Sequence, residues 1–267
     1  MEMQNLSRRR FLLAGGASIS LGALLAACGG GQSSGVARIG LAPDPSELPD
    51  APVTDITLLR TATSLENNAI FVYEAAAGAD YLSGDAAKLA ARFLADHRDH
   101  AAATASLTEA AGGRAFTEPN PRLQSIYVEP ALALIAEAAD PAADVLALAY
   151  ALETLAGATY QMYTPMLTDK DLRRAAMGIG EQEARHAATL GSVLNPARLV
   201  SSHGSSVAAE YREDGDPSPF YAAPSAFGTQ APVPVTLGPV DAAGGRTTVN
   251  LETPYLNSMA YEYLDEE

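Results

Sequence analysis

Six residues of this chain combine ligand-type side chains with a repeated spacing: Glu66, His97, His100, Glu153, Glu183 and His186. Leu65-Glu66 is followed seven residues on by Tyr73, and Leu152-Glu153 seven residues on by Tyr160. His97 and His100 stand 31 and 34 residues after Glu66; Glu183 and His186 stand 30 and 33 after Glu153. One half thus offers Glu and then His-x-x-His, the other Glu and then Glu-x-x-His. Residues three apart on a helix project to one side, so each half can present a carboxylate and a ligand pair to a common centre. Oxygen and imidazole donors without thiolates suit Fe, Mn or Zn. Taken singly, each Glu is more often part of a solvated face, and His97 and His100 ordinary polar residues. Three of the chain's four His fall on the duplicated pattern, and that weighs the reading towards metal.

The surroundings of these residues are apolar. On the first expected helix Leu59, Ala62, Glu66, Ala69, Ile70 and Tyr73 share a face; on the third the face is Leu146, Ala149, Tyr150, Glu153, Ala156, Gly157 and Tyr160. His97 and His100 lie between Phe93 and Leu107, and Glu183 and His186 between Ile179 and Leu190. A lone carboxylate on such a stripe is costly or becomes protonated; several converging on a cation are tolerable. Asp96 and Asp99 flank His97 and are candidates for orienting the imidazoles. Tyr73 and Tyr160 read as core packing with hydrogen-bonded hydroxyls, and His203, in a Ser-rich loop, as solvated.

The elements that must carry these groups follow from three- and four-residue apolar spacing between Thr54 and about Asn195. Thr54 or Asp55 caps a first helix ending near Gly78, and a second runs from about Asp85 to Gly112-Gly113. A third begins after Asp140-Pro141 and continues towards Thr164-Pro165; a fourth spans about Asp169 to Leu194. Short connections make hairpins of helices one and two and of three and four. Residues 113–140, with a shorter helix around Gln124–Ala138, are long enough to cross the bundle from end to end. The expected fold is all-α, a four-helix bundle with one long crossover.

The set Glu66, His97-x-x-His100, Glu153 and Glu183-x-x-His186 resembles the ferritin-like superfamily, in which two helices each give a Glu and the other two a Glu-x-x-His. The resemblance covers roughly residues 54–195. Together with the N-terminal segment below, the chain looks like exported bacterial ferritin-like proteins related to desiccation-associated proteins. That resemblance implies Glu66 and Glu153 as terminal ligands, Glu183 as a bridging carboxylate, and His100 and His186 as imidazole ligands of two metals. His97 departs from it, standing where the family has a second bridging Glu. Three carboxylates leave two divalent ions with a residual positive charge, so His97 binds one metal terminally in an asymmetric pair, or the site holds a single ion.

The chain of 267 residues is 48% hydrophobic and 18% charged, enough to bury a core, and aromatics are only 6%. Its net charge of −15 argues against nucleic acid as a partner. Ser7-Arg8-Arg9-Arg10-Phe11-Leu12 and the short apolar stretch to Ala27 resemble a twin-arginine export signal, and Leu25-Ala26-Ala27-Cys28 resembles a lipobox. Residues 1–28 are therefore expected to be a lipoprotein signal with Cys28, the sole Cys, as the lipidated residue. Cleavage there would remove three Arg and one Glu and take the net charge from −15 to −17. Residues 29–53, Gly-rich and then Pro-rich, read as a flexible tether. Residues 196–267 read as an irregular extension in which Val233–Leu237 and Thr247–Leu251 alternate around a turn at 241–245, a β-hairpin pattern.

No Gly-x-Ser-x-Gly, P-loop or Gly-x-Gly-x-x-Gly occurs, which removes support for hydrolase and nucleotide readings. The expectation is an exported protein, lipid-anchored on the periplasmic or extracytoplasmic face. It binds one or two ions, Fe before Mn or Zn, with oxidase or peroxide-consuming chemistry; the alternative is a non-enzymatic metal-binding or stress-protective envelope protein. Self-association into a homo-oligomer is compatible with either. A tether and a long tail disfavour a mineral-storing cage.

Overall fold

The computed structural model describes residues 38–39, 53–194 and 233–251. Four long helices form the expected bundle: α1 (Asp55–Gly78), α2 (Gly84–Ala110), α4 (Pro141–Tyr163) and α5 (Lys170–Leu194). The starts of α1, α4 and α5 are set by side chains that accept otherwise orphaned backbone N–H groups. Thr54 Oγ1 accepts from Thr57 N, Asp140 Oδ1 from Ala143 N, and Asp169 Oδ1 from Asp171 N and Leu172 N. Pro141, at the first position of α4, gives up no bond there. At the end of α2 the backbone turns left-handed at Gly112 (φ 85°), so Gly113 N reaches Thr108 O and Gly112 N reaches Glu109 O. That pattern terminates helices and favours glycine.

α1 pairs with α2, and α4 with α5, as two helical hairpins. In the second pair Gly180 lets the helices approach closely: a Cβ there would lie 2.7 Å from Tyr160 Cβ. α4 with its continuation to Met166 is long and apolar enough by composition to cross a bilayer, yet 61% of its apolar window is buried. It also carries the buried Asp144 and Glu153, so its apolarity belongs to the bundle core.

The crossover is helical from Pro121, three residues earlier than expected, and ends at Ala136, two residues earlier. One turn (Pro121–Leu123) leads into a π-helical stretch (Gln124–Val128) and then α3 (Glu129–Ala136). A buried polar cluster ties its start to α1: Asn120 N donates to Asn68 Oδ1, Asn120 Nδ2 to Ser64 Oγ, and Asn68 Nδ2 to Gln124 Oε1.

The expected hairpin is present as β2 (Val233–Leu237) antiparallel to β3 (Thr247–Leu251), with Val235 opposite Val249. Unexpectedly, a two-residue strand, β1 (Arg38–Ile39), pairs parallel to β3 from within the segment read as a tether. The hairpin is seated on α4. Asp144 accepts from Gly238 N at 2.8 Å and from Arg246 Nη2 at 2.5–2.6 Å, while Arg246 Nε donates to Gly238 O. Val235, Leu237 and Leu251 join the apolar cluster of Val72, Ile135 and Leu148, burying surface of bundle and hairpin together.

Candidate metal centre

Glu66 comes from α1, His97 and His100 from α2, Glu153 from α4, and Glu183 and His186 from α5. All six are buried, Glu183 completely. They form two overlapping groups whose donor atoms lie within 4.8 Å of one another: Glu66, His97, His100 and Glu183, and His97, Glu153, Glu183 and His186. Glu183 and His97 belong to both, so the sites for two ions would share them. A neutral imidazole has one lone pair to give, which makes His97 a ligand to one ion only.

His97 lies between the two carboxylates of α1 and α4. Its Nδ1 is 2.8 Å from Glu66 Oε2 and its Nε2 is 3.0 Å from Glu153 Oε1. His100 Nδ1 is 2.6 Å from Glu183 Oε1, and His186 Nδ1 is 3.3 Å from both Glu153 Oε2 and Glu183 Oε2. The Tyr hydroxyls close the carboxylates from outside, each across to the other hairpin: Tyr73 donates to Glu153 Oε1 and Tyr160 to Glu66 Oε1, both at 2.5 Å. Phe93 stacks on His186 with centroids 3.9 Å apart.

Electrostatics follow from burial and mutual charge. Burial pushes Glu66 up, but hydrogen bonds from His100 and His97 outweigh it and hold the carboxyl at about 2. Burial likewise opposes ionisation of Glu153, and the charge and hydrogen bonds of His97 and His186 hold it well below the carboxylate range. Glu183 goes the other way, raised to about 7 by burial and then by the negative charges of Glu66 and Glu153. Burial lowers the imidazoles, but carboxylate contacts raise His100 to about 10, His186 to about 9 and His97 well above its ordinary value. Burial followed by the adjacent carboxylate keeps Tyr73 and Tyr160 protonated.

The donor set fits a metal. Both carboxylate oxygens of Glu183 and Nδ1 of His100 are buried without a hydrogen-bond partner, despite their proximity to one another. Buried polar atoms are ordinarily hydrogen-bonded; atoms aimed at a common point and left unbonded suit a cation. Asp96 is buried and its Oδ2 lies 3.2 Å from His186 Nε2, fixing the ring so that Nδ1 faces the centre. Arg92 holds Asp96 in turn at 2.6 Å. Asp99, expected in a similar role, is exposed and faces away. His203 and Cys28 lie outside the described residues.

The fold and its buried carboxylate–histidine centre define a class: helical bundles whose facing hairpins converge ligand-type side chains that could hold a cation. A family model for the ferritin-like domain matches residues 54–196, and the chain belongs to that family. Comparisons with curated proteins and with solved structures found no significant match.

Proposed function

We propose that the protein is an exported, lipid-anchored metalloprotein that binds one or two first-row ions, iron before manganese or zinc, and consumes O₂ or peroxide there in a ferroxidase-like reaction. The observation that carries the metal reading is Glu183, fully buried amid three imidazoles, with neither oxygen in an aligned hydrogen bond although ring nitrogens lie 2.6 and 3.3 Å away. Glu66 and Glu153 would hold the ions from α1 and α4, with one oxygen of each also accepting from Tyr160 and Tyr73 respectively. Glu183 and His97 lie between the two positions, and His100 and His186 complete them. A bound redox metal supplies the electron-transfer chemistry; the chain supplies charge balance, ring orientation through Asp96 and an enclosing apolar wall. Export and anchoring are supported by Arg8-Arg9-Arg10 and by Cys28 after Leu25-Ala26-Ala27.

A non-enzymatic binding or stress-protective role is favoured by one specific feature. The His97 ring, bonded to Glu66 and Glu153 at once, stands in for a cation and neutralises the centre without metal. Metal analysis of protein from the exported fraction, beside a Glu153→Ala/Glu183→Ala variant, tests the first reading. About two ions per chain, or about one given His97, lost in the variant, is the expected result. No metal after reconstitution with Fe(II), Mn(II) and Zn(II) would overturn it. Metal without oxygen uptake or peroxide loss would leave the binding role alone. Retention of a Cys28→Ala protein in the membrane fraction would remove the anchor.

A further inference from the structure

The centre is reached from one side by a cavity of about 50 Å³ between α1 and α4. That is space open to the centre of a water-sized sphere, several times the roughly 10–15 Å³ that one water needs by this measure. Glu66, His97 and Glu153 form its floor. Its outer lining includes Leu65, Ala69, Leu152 and Ala156, all half-buried, so the space runs from the protein surface to the buried carboxylates. His100, Glu183, His186 and Asp96 do not line it; it meets only the α1/α4 side of the centre.

The outer residues repeat between the halves. Leu65 and Leu152 each precede a Glu of the floor, and Ala69 and Ala156 each follow it by three residues. On each helix the same step therefore places a bulky apolar side chain and a methyl group beside the carboxylate. A large residue at either Ala would fill the gap. No Lys, Arg or Asp lines the cavity, and its only charged-type groups are those of the floor. The polar side chains that also line it, Asn68, Tyr73, Thr159 and Tyr160, are already hydrogen-bonded, so an ion passing between the Leu and Ala walls would shed its water with little to replace it, whereas a small uncharged molecule loses little.

We infer that the gap between α1 and α4 is the passage by which small uncharged molecules of two or three heavy atoms reach the centre, with Leu65 and Leu152 as its gate and Ala69 and Ala156 setting its bore. Ions do not use it. The inference takes from the proposed function only that the cluster is where reaction occurs; the passage itself is testable without metal.

Xenon serves as the uncharged probe. Crystals of the metal-free full chain under xenon pressure should show the gas between Leu65, Ala69, Leu152 and Ala156. Ala69→Phe and Ala156→Phe should each abolish it, and Leu152→Ala should raise its occupancy. On Fe(II)-loaded protein, nitric oxide and azide report access by stopped-flow absorbance. Ala156→Phe should slow nitric oxide binding by about tenfold or more, with iron content and the azide rate unchanged. No xenon in the wild-type gap would overturn the passage, as would xenon retained in both Phe variants. An unaltered nitric oxide rate in Ala156→Phe, or an equal slowing of azide, would overturn its role or its charge selectivity. If the chain takes up no metal while xenon behaves as expected, the proposed function fails and the passage stands.

Discussion

Replacing Glu183 by Gln should stabilise the metal-free protein at alkaline pH and abolish its stabilisation by metal. Burial and the charges of Glu66 and Glu153 raise this carboxyl from 4.5 to about 7. A raised carboxyl binds its proton more tightly in the folded state, so stability is lost as pH climbs from 4.5 through 7 and the loss is complete above that. At pH 8 a shift of this size corresponds to about 3 kcal/mol against the fold. Gln keeps the shape and removes the charge, but its amide would be imperfectly bonded among the imidazoles, returning about 1 kcal/mol. The net gain of about 2 kcal/mol raises the melting temperature by about 5 °C in a domain of this size. At pH 5 the charge penalty on the wild type has fallen to about 1 kcal/mol, which the cost of the amide offsets, so the two proteins should melt together. Metal at about a hundred times its Kd adds about 2.7 kcal/mol to the wild type and much less to the variant, so the order inverts. The assay is thermal unfolding followed by circular dichroism at pH 5 and pH 8, with chelator and then with Fe(II) or Mn(II). A variant destabilised equally at both pH values would refute the electrostatic argument, and equal stabilisation by metal would refute Glu183 as a ligand.

The metal-free wild type should be most stable at about pH 4.5–5, because the loss at Glu183 sets in from 4.5 upward. On the acid side, Glu66 carries stability that disappears as pH falls from 4.5 towards about 2, and on the alkaline side His186 and His100 carry stability that disappears as pH rises through about 9 and 10; denaturant midpoints across pH measure both limbs. Asp96→Asn should weaken metal binding by about 10–100-fold through loss of ring orientation at His186, read by competition with a chelating dye while the fold is unchanged. Gly180→Ala would place a methyl group against Tyr160 Cβ and should cost about 1–3 kcal/mol, visible as a lower melting temperature. Asp144→Ala leaves Gly238 N unpaired and the partly exposed Arg246 with only its bond to Gly238 O, and should cost about 1–3 kcal/mol, with faster proteolysis around 238–246; an unchanged cleavage rate would mean the hairpin is held by its apolar contacts alone.

The helices and the convergence of the six residues were legible because both are periodic. Spacing of apolar residues places the stripes, and polar residues that interrupt a stripe must meet each other. The choice between Asp96 and Asp99 was open to the same arithmetic. At about 3.6 residues per turn, Asp96 shares a side with His97 and His100, whereas Asp99 lies across the helix. The π-helical stretch left no such trace, since its start is tied to α1 by Asn68 and Ser64, more than fifty residues away. Nor did the seating of the hairpin: Asp144 and Arg246 are 102 residues apart, and either alone reads as an ordinary surface charge. β1 is too short to announce itself by alternation. Periodic order is visible one element at a time; contacts that join distant elements through single polar pairs are not.

The exchanged tyrosines carry a consequence for symmetry. Tyr73 of the first hairpin holds the Glu of the second, and Tyr160 of the second holds the Glu of the first. Such reciprocal contact is the signature of a two-fold dimer, in which a patch on one copy meets the same patch on the other. The bundle therefore has the contact pattern of two identical helical hairpins joined into one chain by the crossover. Each half's carboxylate takes its tyrosine hydrogen bond from the other half, so cutting the crossover should leave fragments that assemble rather than fold singly. Fusion also frees the halves to differ, as they do at equivalent positions where one carries Glu183 and the other His97. A true dimer of hairpins could never make that distinction.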